Sequence, residues 1–157
     1  MEKPRKTLAV IMQRRETRNR WESVQWQPWA VLESPEPAGP PRLLVQEGGL
    51  AQWLHPGFEL LLHRDEAEGY YLNVSSGSPR VFVLWRIEED MAVPLQVTAS
   101  YDEGGRWLDG GHSVEGVPMP PEIFAWVGEW VEANYRPQPK KRIRPRSFMH
   151  PKDRASQ

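Results

Sequence analysis

An α+β fold built mainly from antiparallel strands follows from three features of the sequence. Short apolar segments with alternating faces fill the first hundred residues, Gly- and Pro-rich turns separate them, and the helical patterns come only after Asp102. The 157 residues suffice for one globular domain, set at 1–135 with a basic N-terminal arm at 1–6. The strands are expected to form a strongly curved sheet or a half-open small barrel, closed by a C-terminal helix. Residues 136–157 form a basic, Pro-rich tail, disordered alone.

Leu8–Gln13 is short, apolar and bounded by charge, which predicts the first strand. Glu16–Ser23 is polar and reads as loop. Gln25–Leu32 predicts a second strand, and Pro28, with no N–H for the ladder, places it at an edge or a bulge. Ser34–Arg42 contains four prolines and reads as loop. Leu43–Gln46 and Ala51–His55 flank Gly48-Gly49 as a hairpin. A turn at Pro56-Gly57 leads into Phe58–Arg64, with Phe58, Leu60 and Leu62 on one face. Asp65–Gly69 reads as a turn, Gly69 suiting positive φ, and Tyr70–Val74 as the returning strand.

Val81–Ile87 is apolar on both faces and reads as a central strand. From Met91 onward, Val93, Leu95, Val97, Ala99 and Tyr101 share one face of a strand, with Gln96, Thr98 and Ser100 on the other. Asp102 is placed to cap a short helix that runs through Leu108 and ends at Gly110-Gly111. Gly104 and Gly105 each weaken it by about 1 kcal/mol. Pro120-Pro121 opens the last helix, Glu122 suits the positive end of its dipole, and Ile123, Val127, Trp130, Val131 and Tyr135 form its apolar face. Arg136-Pro137 stops it.

The formal net charge of -1 conceals a partition. Residues 1–20 carry +5 and residues 136–157 carry +7, around a middle of -13. The chain has no Cys, so disulfides, thiolate metal sites and Cys nucleophiles are excluded. No apolar run has the length of a membrane span and no secretory signal is recognisable, which predicts a soluble, cytoplasmic protein.

Eight tryptophans are many for so rare a residue. Trp85, Trp107 and Trp130 lie on apolar faces and read as core, whereas Trp21, Trp26 and Trp29 stand in polar company and suit a binding surface. His55, Glu59, His63 and Asp65 are ligand types, but match no metal signature and read as solvent-facing hairpin residues. Asp65, Glu66 and Glu68 read as a solvated acidic turn, and no nucleophile with a base is recognisable, so the reading leans away from an enzyme. Lys140, Lys141, Arg142, Arg144 and Arg146, spaced by proline, suit an acidic partner or a phosphate backbone. The acidic body opposes a duplex and no nucleic-acid-binding motif is present, so nucleic acid is the lesser alternative. Trp21, Trp26, Trp29, His55, Glu59, His63, Arg64, the acidic turn, Tyr71 and the basic tail are therefore the candidate partner-binding residues, with no cofactor or metal assigned.

Several runs carry a resemblance. Leu54-His55-Pro56-Gly57-Phe58-Glu59, Arg64-Asp65-Glu66-Ala67-Glu68-Gly69-Tyr70-Tyr71-Leu72-Asn73, Val81-Phe82-Val83-Leu84-Trp85-Arg86, Pro120-Pro121-Glu122-Ile123 and Tyr135-Arg136-Pro137 with its basic tail are similar to the bacterial family of unknown function DUF3305. Arg14-Arg15 and Asn19-Arg20-Trp21 fit it too, so the likeness spans nearly the whole chain. Members of that family tend to be encoded beside molybdenum-dependent formate dehydrogenase and its maturation factors. The resemblance therefore implies a non-enzymatic accessory or assembly factor that binds a dehydrogenase subunit or a maturation factor. The alternative is a small enzyme or carrier for a molybdopterin or nucleotide, with tryptophans stacking the ring and arginines holding phosphates.

Overall fold

The structure is a computed structural model and describes residues 3–18 and 23–137. In chain order it contains β1 (Arg5–Glu16), β2 (Val24–Glu33), β3 (Arg42–Glu47), β4 (Leu50–Leu61), a 3-10 turn (Arg64–Glu66) leading into α1 (Ala67–Val74), β5 (Arg80–Glu88), β6 (Met91–Thr98), α2 (Tyr101–Asp109), β7 (Ser113–Pro118) and α3 (Pro121–Asn134). The class is α+β and every strand pair is antiparallel. The strands divide into two sheets, ordered β2-β1-β4-β3 and β6-β5-β7, and no closed barrel forms among the described residues. No helix among them is long and apolar enough to cross a membrane. The expected disordered tail falls, from residue 138 onward, outside the described residues.

The core lies where the two sheets meet α1 and α3. Leu8, Val10 and Met12 alternate inward from β1, Leu60 comes from β4, and Val81 and Val83 from β5. α3 closes the layer with Ile123, Val127 and Val131 at helical spacing, as its sequence predicts. Burying each such side chain stabilises the fold by roughly 1.5–3 kcal/mol. Pro28 sits on the edge strand β2 and at a bulge opposite Met12, where its missing N–H breaks no continuous ladder.

The structure corrects several local expectations and adds one strand. Pro56-Gly57 does not turn the chain. β4 continues through it as a bulge against β1, between Leu8 and Val10. Gly57 has φ +88, and a Cβ there would lie 2.1 Å from the Ala38 backbone nitrogen, so the Pro-rich loop packs directly on this glycine.

Tyr70–Val74 is helix, not strand. Its inward positions are Glu66, Gly69, Tyr70 and Asn73, a helical spacing in which two of the four members are polar and one has no side chain. Gly69 takes an ordinary helical conformation rather than positive φ. Its bare Cα admits Ser100, whose Oγ would stand 2.1 Å from an added Cβ.

β6 ends at Thr98 and buries Ala92 and Pro94 instead of Val93 and Leu95. A bulge leaves Leu95 as the extra residue between Pro94, paired with Trp85, and Gln96, paired with Leu84. The alternation therefore changes phase, and Val97 returns to the core. The cap of α2 is Ser100, which accepts from the Glu103 N–H at 3.0 Å; Asp102 lies inside the helix. Finally, β7 is a strand with only two apolar side chains, too few for alternation to reveal it.

Candidate functional site

The chain around the end of β4 brings several of the sequence-named residues together. His63, Arg64 and Asp65 line a cleft of about 780 Å³ with Lys3, Pro4, Leu62, Trp130 and Asn134. Trp130 is held edge-on against Tyr70, with ring centroids 5.4 Å apart at 82°. It thus serves both the core, as expected, and the cleft wall. Lys3 Nζ approaches His63 Nδ1 at 2.8 Å. An ammonium only donates, so in this contact Nδ1 is the acceptor.

On its other side His63 borders a smaller cleft of about 340 Å³, shared with Glu59, Gln96 and Glu103. Arg5 pairs with Glu59 at 3.3 Å. Beneath the two clefts the Tyr70 hydroxyl accepts from the His63 N–H at 2.9 Å and donates to the Leu61 carbonyl at 3.3 Å. Burial pushes its pKa up to about 12, and the carboxylates of Glu103, Glu66 and Asp65 add to the rise. It is a neutral anchor for the turn at neutral pH.

The remaining candidates disperse. His55 is not solvent-facing: only 7% of it is exposed, and its Nε2 has no hydrogen-bond partner among the described residues. Burial lowers its pKa, which keeps the ring neutral. Glu66 is not part of a solvated turn either. It is buried, accepts from Ser100 Oγ at 2.6 Å and pairs with Arg106. Ser100 is fully buried in this contact, so its hydroxyl caps a helix and reaches no substrate. Among the described residues no group of three His, Asp or Glu is placed to hold a metal ion. Tyr71 packs at a tilt against Tyr135, with centroids 5.1 Å apart and planes inclined at 53°, and both border a third cleft of about 460 Å³. Asp65 and Glu68 are exposed.

Trp26 packs against Trp53 at 5.4 Å across β1, half-buried at the rim of the core. Trp29 is the extra residue of the β2 bulge and is 48% exposed, with Leu32 also exposed on the same strand. Trp107 is half-buried rather than fully core. Trp21, Lys140, Lys141, Arg142, Arg144 and Arg146 lie outside the described residues. Sequence reasoning missed Lys3 and Asn134 as cleft residues and Leu43 and Leu44 as exposed apolar ones. Nothing local marked the first pair, since only the approach of α3 to the N-terminal segment makes them neighbours.

A family model described as protein of unknown function, DUF3305, matches residues 7–144. The chain belongs to this family. No curated protein and no solved structure matches it. In this DUF3305 chain, the runs that carry the likeness are largely scaffold. Gly57 admits the Pro-rich loop, Glu66 to Asn73 supply the inward face of α1, Val81–Arg86 lie in the central strand of the second sheet, and Pro120-Pro121 open α3. The flanks of the same runs, His63 to Asp65 and Tyr135 to Pro137, border clefts.

Proposed function

We propose that this DUF3305 protein is a non-enzymatic accessory or assembly factor that binds a partner protein in a formate dehydrogenase system. The observation that carries the binding role is Trp29, which a β-bulge turns out of an edge strand to 48% exposure. Aromatic side chains exposed on a rigid strand suit interface anchors, since they offer large contact area with little rotamer entropy to lose. The dehydrogenase association rests on the family likeness and on the basic ends flanking an acidic body. The test is co-purification of the tagged full chain from its native host, read by quantitative mass spectrometry. Dehydrogenase subunits or maturation factors should be enriched with the wild-type chain and fall about tenfold with Trp29→Ala. Recovery of neither class at low salt overturns the reading.

A second reading has its own observation, the cleft that Lys3 and Arg64 line together with the held ring of Trp130. That set suits a planar anionic ligand such as a pterin or nucleotide. Quenching of Trp fluorescence by micromolar ligand, lost in Arg64→Ala, supports this reading; unchanged fluorescence with no bound mass in native mass spectrometry rejects it.

A further inference from the structure

Four strands form the edges of the two sheets: β2 and β3 in the first, β6 and β7 in the second. An edge strand presents unpaired N–H and C=O groups, and folded chains guard such edges with proline, charge or covering elements. β2 carries Pro28 and packs against β7. β6 carries Pro94 and packs against β4. β7 ends in Pro118 and is covered by α2. β3 differs. Its sequence, Arg42-Leu43-Leu44-Val45-Gln46-Glu47, has no proline and carries charge only at its ends, and among the described residues its packing is chiefly with β4. Its bulge lies between Leu43 and Val45 and presents apolar rather than charged side chains, with Leu43 49% and Leu44 47% exposed.

The ends of β3 are complementary to each other. Arg42 opens the strand and Glu47 closes it, with the apolar residues between. In an antiparallel pairing about a two-fold axis, the Arg42 end of each copy meets the Glu47 end of the other, and Leu44 of each copy faces Val45 of the other across the seam. Arg42 is bound by Glu36 within its own chain, and its planar guanidinium has further donors for a second carboxylate.

We propose that the protein pairs with a second copy of itself through β3, edge to edge and antiparallel, forming one continuous eight-stranded sheet. The pairing consumes this exposed apolar edge and leaves Trp29 on β2 at the far edge of each half, so it is independent of the partner-binding reading above.

The experiment is a charge-swap complementation on the full chain, with mass read by light scattering after size exclusion at low salt. The wild-type chain should run at twice the chain mass. Arg42→Glu and Glu47→Arg should each weaken association by roughly tenfold, because both two-fold-related contacts become like-charged. A 1:1 mixture of the two variants should restore the dimer. In the mixed pair the introduced carboxylate of one copy faces the introduced guanidinium of the other, and the native Arg42 and Glu47 that remain face each other. Leu44→Lys, at an exposed position that does not support the core, should give a folded monomer that melts like the wild-type chain diluted to its monomeric state. Three results overturn the proposal: a wild-type monomer at about 100-fold above micromolar concentration, a dimer indifferent to both single swaps, or swaps that dissociate the dimer and fail to complement.

Discussion

Ser100 and Glu66 meet in a buried hydrogen bond of 2.6 Å, in which the Ser100 hydroxyl donates to the carboxylate while accepting from the Glu103 N–H. One side chain thereby caps α2 and ties it to the first turn of α1. Gly69 makes this geometry possible, because any Cβ there would fall on the hydroxyl.

Ser100→Ala removes the cap and strips a partner from a buried carboxylate, an expected loss of about 2–3 kcal/mol in urea unfolding. Gly69→Ala should cost about 2 kcal/mol by overpacking. In the double variant the colliding hydroxyl is gone, so its cost should fall short of the sum by about 1 kcal/mol. Strict additivity would show that the two residues do not share one site.

The adjacent glycines of α2 should respond in opposite directions. Gly105 has open space where a Cβ would lie, so Gly105→Ala should stabilise by about 0.5–1 kcal/mol through helix propensity. A Cβ on Gly104 would lie 3.0 Å from the Phe82 ring, and Gly104→Ala should be neutral or destabilising. Thermal melts of the two single variants decide this, and a gain at both positions would contradict the packing.

Asn73 joins α1 to the start of β5 and to the link between β6 and α2 by donating to the carbonyls of Arg80 (2.7 Å) and Ala99 (2.8 Å) and accepting from the Arg80 N–H (2.9 Å). Asn73→Ala should cost about 3 kcal/mol. Asn73→Asp should cost more, because it loses both donors and sets a carboxylate against two carbonyls. A loss below about 1 kcal/mol in denaturant titration would mean that these bonds do not hold the helix.

His55 makes stability depend on pH. Its native pKa is lowered below 6.5 by burial, so in mild acid the unfolded chain binds the proton that the folded chain excludes. Its contribution is complete above pH 6.5 and is lost as pH falls through that value toward the native pKa. Urea midpoints between pH 5 and 8 should drop on the acidic side for the wild-type chain (about 1.4 kcal/mol per pH unit at most for one proton) and flatten in His55→Leu. The same slope in both proteins would assign the effect to another group.

Much of the first sheet was legible in the residues themselves. Leu8–Gln13 announced β1 by an apolar run bounded by charge, Gly48-Gly49 marked the β3–β4 hairpin, and Pro28 located both an edge and a bulge. α3 was equally plain, since its inward face is wholly apolar and repeats at 3.6 residues. Of the candidate site, His63 to Asp65 were identified from their chemistry, but not the cleft they line. Lys3 and Trp130 are about as far apart in sequence as the described chain allows.

What the sequence by itself determined was the set of elements whose burial is apolar and local: the α+β class, the β3–β4 hairpin, the last helix and the acidic body between basic ends. Tertiary structure alone decided the helicity of α1, the phase of β6 and the pairing of β7. The reason is that hydrophobic periodicity records only which positions prefer to leave water. The inward face of α1 is satisfied instead by hydrogen bonds that link Glu66 and Asn73 to Ser100, Ala99 and Arg106, groups distant in sequence that come within reach only when the sheets have met.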